Sequence, residues 1–122
     1  MIEGVSTLSQ ITASVALEKA WNWKEGYIQN LDKNRKLATE IINNSSLLQT
    51  SCPEATFVIF PKIICDISSE EFVKKALEKG KVAIVPGSES WIGPGAQGHV
   101  RICFSTATSI LEEGLHRILH SF

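Results

Sequence analysis

The sequence predicts an α+β domain, with helices packed on one face of a small mixed or antiparallel sheet. Two observations predict this class. Apolar residues recur at helical spacing in four segments, and three runs at 56–65, 82–85 and 99–105 have the composition and length of short strands. The 122 residues, 43% apolar and 20% charged, suit one soluble domain over 1-122. The predicted order is helix, helix, strand, helix, strand, strand, helix.

The first two helices follow from apolar periodicity. Leu8, Ile11 and Val15 recur at spacings of three and four, which predicts a helix over residues 7–20. The second helix covers residues 23–44, and the polar sequence Asn-Asn-Ser-Ser ends it.

Capping residues mark the third and fourth helices. Ser68 with Glu71, and Ser109 with Glu112, both fit a capping box, in which the serine oxygen accepts a hydrogen bond from a backbone amide three residues later. Gly80 ends the third helix.

Two of the predicted strands flank the third helix. Pro61 divides residues 56–65, and because proline cannot donate to a central ladder, this is an interrupted or edge strand. Residues 82–85 form a fully apolar strand. If these two strands run parallel in one sheet, the connection between them crosses over with a right hand.

Arg101 is the candidate functional residue, and it lies in the last predicted strand, 99–105. Side chains alternate between the two faces of a strand, so Val100, Ile102 and Phe104 point to the core and Arg101 points away from it. A guanidinium can hold a carboxylate or phosphate through two parallel hydrogen bonds. Arg101 is therefore placed to bind an anion on the outer face of the sheet.

The loop before this strand, residues 86–98, contains four glycines and two prolines. We expect it to be the least ordered internal segment, and its backbone could approach a ligand closely. The residues alone leave two interpretations of Arg101 open. One is an anion anchor beside a mobile loop. The other, which is simpler, is a solvated arginine on a half-exposed sheet.

Composition argues against several classes of partner and compartment. The net charge of −1 gives no reason to expect nucleic acid or an anionic membrane as partner, and no apolar run approaches the roughly 18 residues of a membrane span. The N-terminal residues have neither the basic start nor the apolar stretch of a signal peptide. Three cysteines without a CxxC pair predict reduced thiols in a cytoplasmic protein.

Two further motifs carry weak signals. Residues 93–98 match GxGxxG, but a strand follows them, whereas the dinucleotide-binding fingerprint opens a helix. His116 and His120 lie one helical turn apart without a third ligand nearby in sequence, so solvated histidines at a helix end are favoured over a metal pair. We therefore predict no metal site and no bound dinucleotide.

Several segments carry a resemblance to a known family. Three segments resemble the C-terminal end of the fold-type I, class I/II aminotransferases, which depend on pyridoxal phosphate (PLP) and form the aspartate aminotransferase-like family. In chain order, these segments are VAIVPGS, GPGAQGHVRICFSTA and LEEGLHRI. PEATFVIF at 53–60 resembles the family's P-x-G-x-F-Y-x-F strand, and SQITASVAL at 9–17 resembles the segment after its cofactor-binding core. The resemblance is collinear over nearly the whole chain.

The resemblance implies a domain organisation and a site. Residues 23–122 resemble the small domain of these enzymes, and residues 1–22 the end of the large domain or the inter-domain helix. Arg101 stands where the family's arginine binds the α-carboxylate of the substrate, which favours the anion-anchor interpretation. The turn PGSESWIG is two residues longer than the family's PG-S-x-FG turn, so Trp91 and Ile92 are candidates for a substrate-side loop.

The function implied by the resemblance is transfer of an amino group between an amino acid and a 2-oxo acid, by an intact homodimeric enzyme that contains PLP. The family's Schiff-base lysine lies upstream of the segment seen here. The segment alone is therefore expected to contain no catalytic residue, to bind no PLP and to be inactive without the missing large domain. Two alternatives stay open: a PLP-dependent lyase or decarboxylase on the same fold, and a non-catalytic small-molecule binding module.

Overall fold

A computed structural model describes residues 4–122, in which four helices and five short strands form an α+β fold, as predicted. The helices are α1 (Thr7–Lys19), α2 (Trp21–Asn43), α3 (Ser69–Glu78) and α4 (Thr108–Leu119). The strands are β1 (Leu48–Gln49), β2 (Val58–Ile59), β3 (Lys62–Ile63), β4 (Val85–Gly87) and β5 (His99–Cys103). The chain divides into two compact units, one extending to Asn30 and the other covering Leu31–Phe122. This boundary lies inside α2, and the predicted division after residue 22 stays a prediction.

All strand pairs of the sheet are antiparallel, and β5 is its central strand. β2 and β3 follow one another along one side of β5, β4 pairs with its other side, and β1 lies outside β3. The predicted interruption at Pro61 is confirmed, because Pro61 lies between β2 and β3 and its carbonyl accepts a hydrogen bond of 3.0 Å from the Val100 N–H. β2 and β4 run in the same direction with β5 between them, and the handedness of their connection stays a prediction.

The core of the second unit lies between one face of the sheet and its helices. The predicted alternation along β5 is confirmed: Val100, Ile102 and Phe104 are buried, and Arg101 is exposed on the opposite face. Each helix adds a short apolar stripe to this core, and the stripe residues are Ala38 and Ile42 of α2, Phe72 and Ala76 of α3, and Leu111, Leu115 and Ile118 of α4. The helices therefore cover the face of the sheet that does not carry Arg101.

The strand predicted at residues 82–85 is wrong in position, since the ladder covers Val85–Gly87. The Val82 N–H donates instead to the Ala76 carbonyl in the last turn of α3, at 3.1 Å. Pro86 fits inside the ladder because the N–H of its partner, Val100, points to the other side of β5 and donates to the Pro61 carbonyl oxygen there. In an antiparallel pair, alternate residue pairs exchange no backbone bonds, so the missing N–H of Pro86 costs no ladder bond there.

Of the two capping boxes predicted, the one at the start of α3 is confirmed and the one at the start of α4 is wrong. The Ser68 cap is confirmed, because its Oγ accepts a hydrogen bond of 3.1 Å from the Glu71 N–H. The start predicted near Ser109 is confirmed, since α4 begins at Thr108, but the capping box predicted at Ser109 is wrong, because Ala107 is the N-cap and no side-chain cap bond forms. The Ala107 carbonyl accepts from the amides of the next turn, which starts the helix without a polar cap.

Two elements differ from the prediction at the other end of the chain. α2 begins at Trp21, two residues before the predicted start, and β1 was not predicted. β1 is a two-residue strand whose Leu48 pairs with Ile63. So short a run gives no measurable periodicity in the sequence, which explains why the pattern did not indicate it.

The first unit buries little of its apolar surface. α1 contains no buried residue, and its apolar side chains at Leu8, Ile11 and Val15 are all exposed. The rings of Trp23 and Tyr27 stack with their centroids 5.0 Å apart. The helix predicted over residues 7–20 is thus present, but within residues 4–30 its apolar positions have no core to enter.

Gly87 sits where a side chain cannot fit, so Gly87→Ala is expected to destabilise the domain. A Cβ at this position would overlap the Ala96 carbonyl oxygen and lie 2.6 Å from the His99 carbonyl oxygen, and both are backbone atoms that cannot rotate away. Overpacking of this kind costs about 1–3 kcal/mol in the free energy of unfolding, measured by urea denaturation. Gly114→Ala is the matched control, because nothing lies within 4 Å of its Cβ position, and a helical alanine stabilises by up to about 1 kcal/mol. Equal effects of the two substitutions would contradict the expected crowding at Gly87.

Candidate functional site

Arg101 occupies the middle of β5, on the face of the sheet that the helices leave open. Its partner across the ladder is Val85 of β4, and Cys103, two residues further along β5, is paired with Val58 of β2. Residues directly opposite one another in an antiparallel pair project on the same side. Side chains from β2, β4 and β5 therefore project on the same face as Arg101.

The environment of Arg101 differs from that of the other two arginines. Arg35 forms an ion pair with Asp32, and Arg117 forms one with Glu113. Hydrogen bonds from Lys36 and Arg35 lower the pKa of Asp32 below its ordinary value, and Asp32 in turn raises the pKa of Arg35. The side chain of Arg101, in contrast, forms no hydrogen bond or ion pair with any residue in 4–122, so the donors of its guanidinium are available to an anion.

A depression of about 540 Å³ lies beside Arg101 on this face. It is lined by Thr56, Phe57, Val58, Ala83, Ile84, Val85, Arg101 and Cys103. Among residues 4–122, Arg101 is the only charged residue in this lining, and most of the other lining side chains are apolar. The depression thus combines one fixed cation with apolar walls.

Thr56 has an unusual backbone at the edge of the depression. Its φ is 70°, which is uncommon for a β-branched residue because the side chain crowds the backbone there. Its hydroxyl oxygen accepts a hydrogen bond of 3.3 Å from the Val58 N–H. This contact turns the chain sharply just before β2 and sets Phe57, which is 53% exposed, at the border of the depression.

The loop at residues 86–98 is held against the domain at several points. The Ser88 carbonyl accepts hydrogen bonds from the N–H groups of Trp91 and Ile92, at 3.2 and 2.9 Å. The Gly98 N–H donates to the Ser69 Oγ at the start of α3, at 3.0 Å, and Ala96 is buried. These contacts favour an anchored turn, and the expected mobility of the loop stays a prediction.

Trp91 and Ile92 are not brought together with Arg101. Both side chains are exposed, and neither lines the depression. Their role as substrate-side residues therefore stays a prediction. Of the predicted site residues, the depression contains Arg101 alone.

Sequence reasoning missed Asn34, a fully buried polar residue on α2. Its Nδ2 donates to the carbonyl oxygens of Phe104 and Thr106 at 2.9 and 2.8 Å, and its Oδ1 accepts from the Thr108 hydroxyl at 2.8 Å. One signal could have found it. Asn34 lies between Leu31 and Ala38 on the apolar stripe of α2, and a polar residue on a buried stripe must find partners. Asn34 joins α2 to the turn that leads from β5 into α4.

The residues around Arg101 do not include the groups that hold PLP. The cofactor needs a lysine for its Schiff base and a partner for its pyridine nitrogen. None of the nine lysines of the chain lines the depression, and neither does any carboxylate. The lining of the depression, as described within residues 4–122, therefore includes neither of these two groups.

The remaining titratable side chains do not form a metal site in the part of the chain that the structure describes. Within residues 4–122, no group of three or more His, Cys, Asp or Glu side chains is placed to hold a metal ion. His120 uses its Nδ1 in a contact of 2.7 Å with the His116 carbonyl oxygen. No helix in this range is both long enough and apolar enough to cross a membrane.

Relatives with known sequences are aminotransferases. The chain is 37% identical over 115 residues to the aspartate aminotransferase of Pyrococcus abyssi, a match that covers 92% of this chain and 29% of that protein. It is 35% identical over 115 residues to aromatic-amino-acid aminotransferase 2 of Thermococcus litoralis, with the same coverages. The chain thus spans less than a third of the length of these relatives.

Solved structures agree with this relationship. The aromatic aminotransferase of Pyrococcus horikoshii OT3 superposes with a TM-score of 0.76 at 35% identity, over 84% of this chain and 27% of that one. A PLP-bound protein of Clostridium difficile 630 superposes with a TM-score of 0.87 at 29% identity, over 98% of this chain and 31% of that one. The α+β fold with its antiparallel sheet is that of aminotransferase small domains. The sequence model of the family "Aminotransferase class I and II" matches residues 2–118, and the chain therefore belongs to that family.

Proposed function

We propose that this chain is the carboxylate-binding C-terminal domain of a PLP-dependent aminotransferase, which transfers an amino group between an amino acid and a 2-oxo acid. The observation that carries the proposal is Arg101, which has no ion pair among residues 4–122 and lies in a depression on the open face of the sheet. Its position also matches the arginine that the family resemblance assigns to the substrate α-carboxylate.

The geometry gives Arg101 two tasks. Its planar guanidinium binds a carboxylate through two hydrogen bonds, which fixes the direction of the bound molecule as well as its charge. The apolar walls at Val58, Ile84 and Val85 displace water from around this pair and strengthen it. Orientation of a substrate in this way lowers the entropic part of an activation barrier.

The cofactor belongs to the part of the enzyme that this chain does not supply. When bound, PLP serves as an electron sink for the amino acid, and the protein contributes orientation and electrostatics. We assign to this chain the orientation of the carboxylate. The Schiff-base lysine and the remaining cofactor contacts are assigned to a large domain, as the family resemblance implies.

The exposed apolar surface of α1 supports the existence of that large domain. Leu8 is 74% exposed and Leu17 is 68% exposed, on a helix that buries none of its residues. A helix with apolar residues on every side is normally buried in a larger protein. We propose that the large domain covers α1, and that two such enzymes pair as a homodimer.

The isolated chain is expected to form no specific covalent link to PLP. Its lysines are exposed or, like Lys75, half-buried and paired with a carboxylate, and none has the surroundings that a Schiff-base lysine needs. Incubation with PLP followed by borohydride reduction and peptide mapping should therefore label no single lysine stoichiometrically. The full-length Pyrococcus abyssi relative serves as the positive control. Selective labelling of one lysine in this chain would contradict the assignment of the cofactor to another domain.

Activity is tested in a fusion that supplies the rest of the enzyme. The chain replaces the matched segment of the Pyrococcus abyssi aspartate aminotransferase, to which it is 37% identical. We expect the fusion to bind PLP and to transfer amino groups from an amino acid to a 2-oxo acid, followed by the appearance of the new amino acid. A folded, PLP-loaded fusion that transfers no amino group would overturn the carboxylate-binding role proposed for this chain.

A further inference from the structure

We infer that the depression beside Arg101 receives an apolar substrate side chain, aliphatic or aromatic, in preference to a second carboxylate. This inference rests on the proposed function, because it takes Arg101 as the anchor of the substrate α-carboxylate. It adds the chemical class of the substrate side chain.

The two ends of the outer sheet face differ in shape, and this difference determines the direction in which a substrate bound to Arg101 extends. Toward residue 103, the face is concave: the depression opens between the Cys103–Val58 pair and the segment that contains Ala83 and Ile84. Toward residue 99, the face is filled, because the rings of His99 and Phe60 stack with centroids 5.0 Å apart. A molecule anchored on Arg101 therefore has room on the Cys103 side.

The lining of the depression offers no second site for a charge. Beyond Arg101 it contains no lysine, arginine, histidine or carboxylate. Its one hydroxyl, on Thr56, already donates its hydrogen to the Val58 carbonyl oxygen at 3.4 Å. A second carboxylate placed there would lose water and gain no charged partner, whereas an aliphatic or aromatic group would remove apolar surface from water.

The lysine that could attract a dicarboxylate, Lys62, lies at the other end of the face. Lys62 pairs with His99 across the β3–β5 ladder, and both project on the same side as Arg101. The His99 Nδ1 is in contact with the Gln97 carbonyl oxygen at 3.1 Å. A dicarboxylate would therefore have to extend over the Phe60–His99 stack toward Lys62. Binding in this second orientation would shift the NMR signals of His99.

The test is NMR titration of this 122-residue chain, labelled at arginine Nε and at methyl groups. The two ligands are 4-methyl-2-oxopentanoate, which has an apolar side chain, and 2-oxoglutarate, which has a second carboxylate. We expect both to shift the Arg101 signal. Only 4-methyl-2-oxopentanoate should also shift the methyl signals of Val58 and Ile84, and it should bind about three- to tenfold more tightly. Arg35 and Arg117, which are ion-paired, are internal references that should not move.

The outcomes distinguish failure of the carboxylate anchor from failure of the apolar preference. If neither acid shifts Arg101 more than Arg35 or Arg117, the proposed carboxylate anchor fails, and the inference fails with it. If both acids shift Arg101 but 2-oxoglutarate binds more tightly and shifts His99, the anchor stands and the apolar class is wrong. The apolar class is also wrong if 4-methyl-2-oxopentanoate shifts Arg101 without affecting the Val58 and Ile84 methyl groups.

A charge placed in the depression gives a second readout. Val58→Lys adds a cation beside the Cys103 position and should turn the preference toward 2-oxoglutarate by about twofold or more. The matched control is Ile110→Lys, which adds the same charge on an exposed residue outside the lining of this depression. It should leave the preference unchanged. An equal change in both variants would show that net charge, and not the depression, sets the preference.

Discussion

Replacing Arg101 by alanine should lower kcat/KM for an amino acid by more than a hundredfold in the fusion enzyme, while Arg101→Lys should lower it by roughly ten- to a hundredfold. A bidentate, charge-assisted pair is worth about 1.5–3 kcal/mol net, and each factor of ten corresponds to about 1.4 kcal/mol. Lysine retains the charge but cannot form two parallel hydrogen bonds. Because the carboxylate also orients the Cα–H bond, part of the loss should appear in kcat, measured by steady-state kinetics.

An amine substrate without a carboxylate is the decisive control for Arg101. The wild-type fusion and the Arg101→Ala variant should treat that amine nearly alike, since neither can use the anchor. Arg117→Ala is a matched arginine control, because this side chain is exposed and ion-paired with Glu113. If Arg101→Ala weakened amine and amino acid equally, or only lowered the melting temperature, Arg101 would be a structural residue of a half-exposed sheet.

Asn34→Ala should reduce the free energy of unfolding of the chain by about 2–4 kcal/mol. The substitution removes two donors from the Phe104 and Thr106 carbonyls and one acceptor from Thr108, at a site that is fully buried. Loss of a partner in a buried site costs about 1–3 kcal/mol, and this applies in full to the Phe104 carbonyl, which is already out of water, while the contacts to Thr106 and Thr108 are partly buried and contribute less. Asn34→Asp should also be destabilising, since a carboxylate cannot donate to the two carbonyl oxygens. Urea denaturation measures both effects.

Asn43 offers a control on the same helix. Its side chain exchanges two hydrogen bonds of 2.9 Å with the backbone of Thr50, but it is exposed. Water can replace both bonds, so Asn43→Ala should cost about 1 kcal/mol or less. Equal losses at Asn34 and Asn43 would mean that burial does not set the energy of the Asn34 contacts.

The parts of the fold that could be predicted depend on local patterns. The alternation of side chains along β5 predicts that Arg101 lies on one face of the strand and that Val100 and Ile102 lie on the other. The structure has the same two faces. The start of α3 at Ser68 followed from a bond between residues three apart, which the sequence contains in full.

The parts that could not be predicted depend on contacts between distant segments. β4 covers Val85–Gly87, with Pro86 opposite Val100, because the Val100 N–H donates to Pro61 on the other side of β5. This contact joins distant segments, so no local pattern indicates it. The apolar walls beside Arg101 come from β2 and from the segment before β4, which meet only after the sheet has formed. Asn34 was overlooked because its three partners lie about seventy residues away, as the separations of 70, 72 and 74 positions show.

The central place of β5 in the sheet has a consequence for how the chain folds as it is synthesised. The strands that pair with β5 all precede it in sequence, so each of them is made before its partner, His99–Cys103. α3 can form early from local contacts, but β2, β3 and β4 have no common partner until β5 has emerged. The nascent domain therefore exposes unpaired strand edges and apolar residues until β5 has been made, and its folding is a cooperative step that depends on long-range contacts.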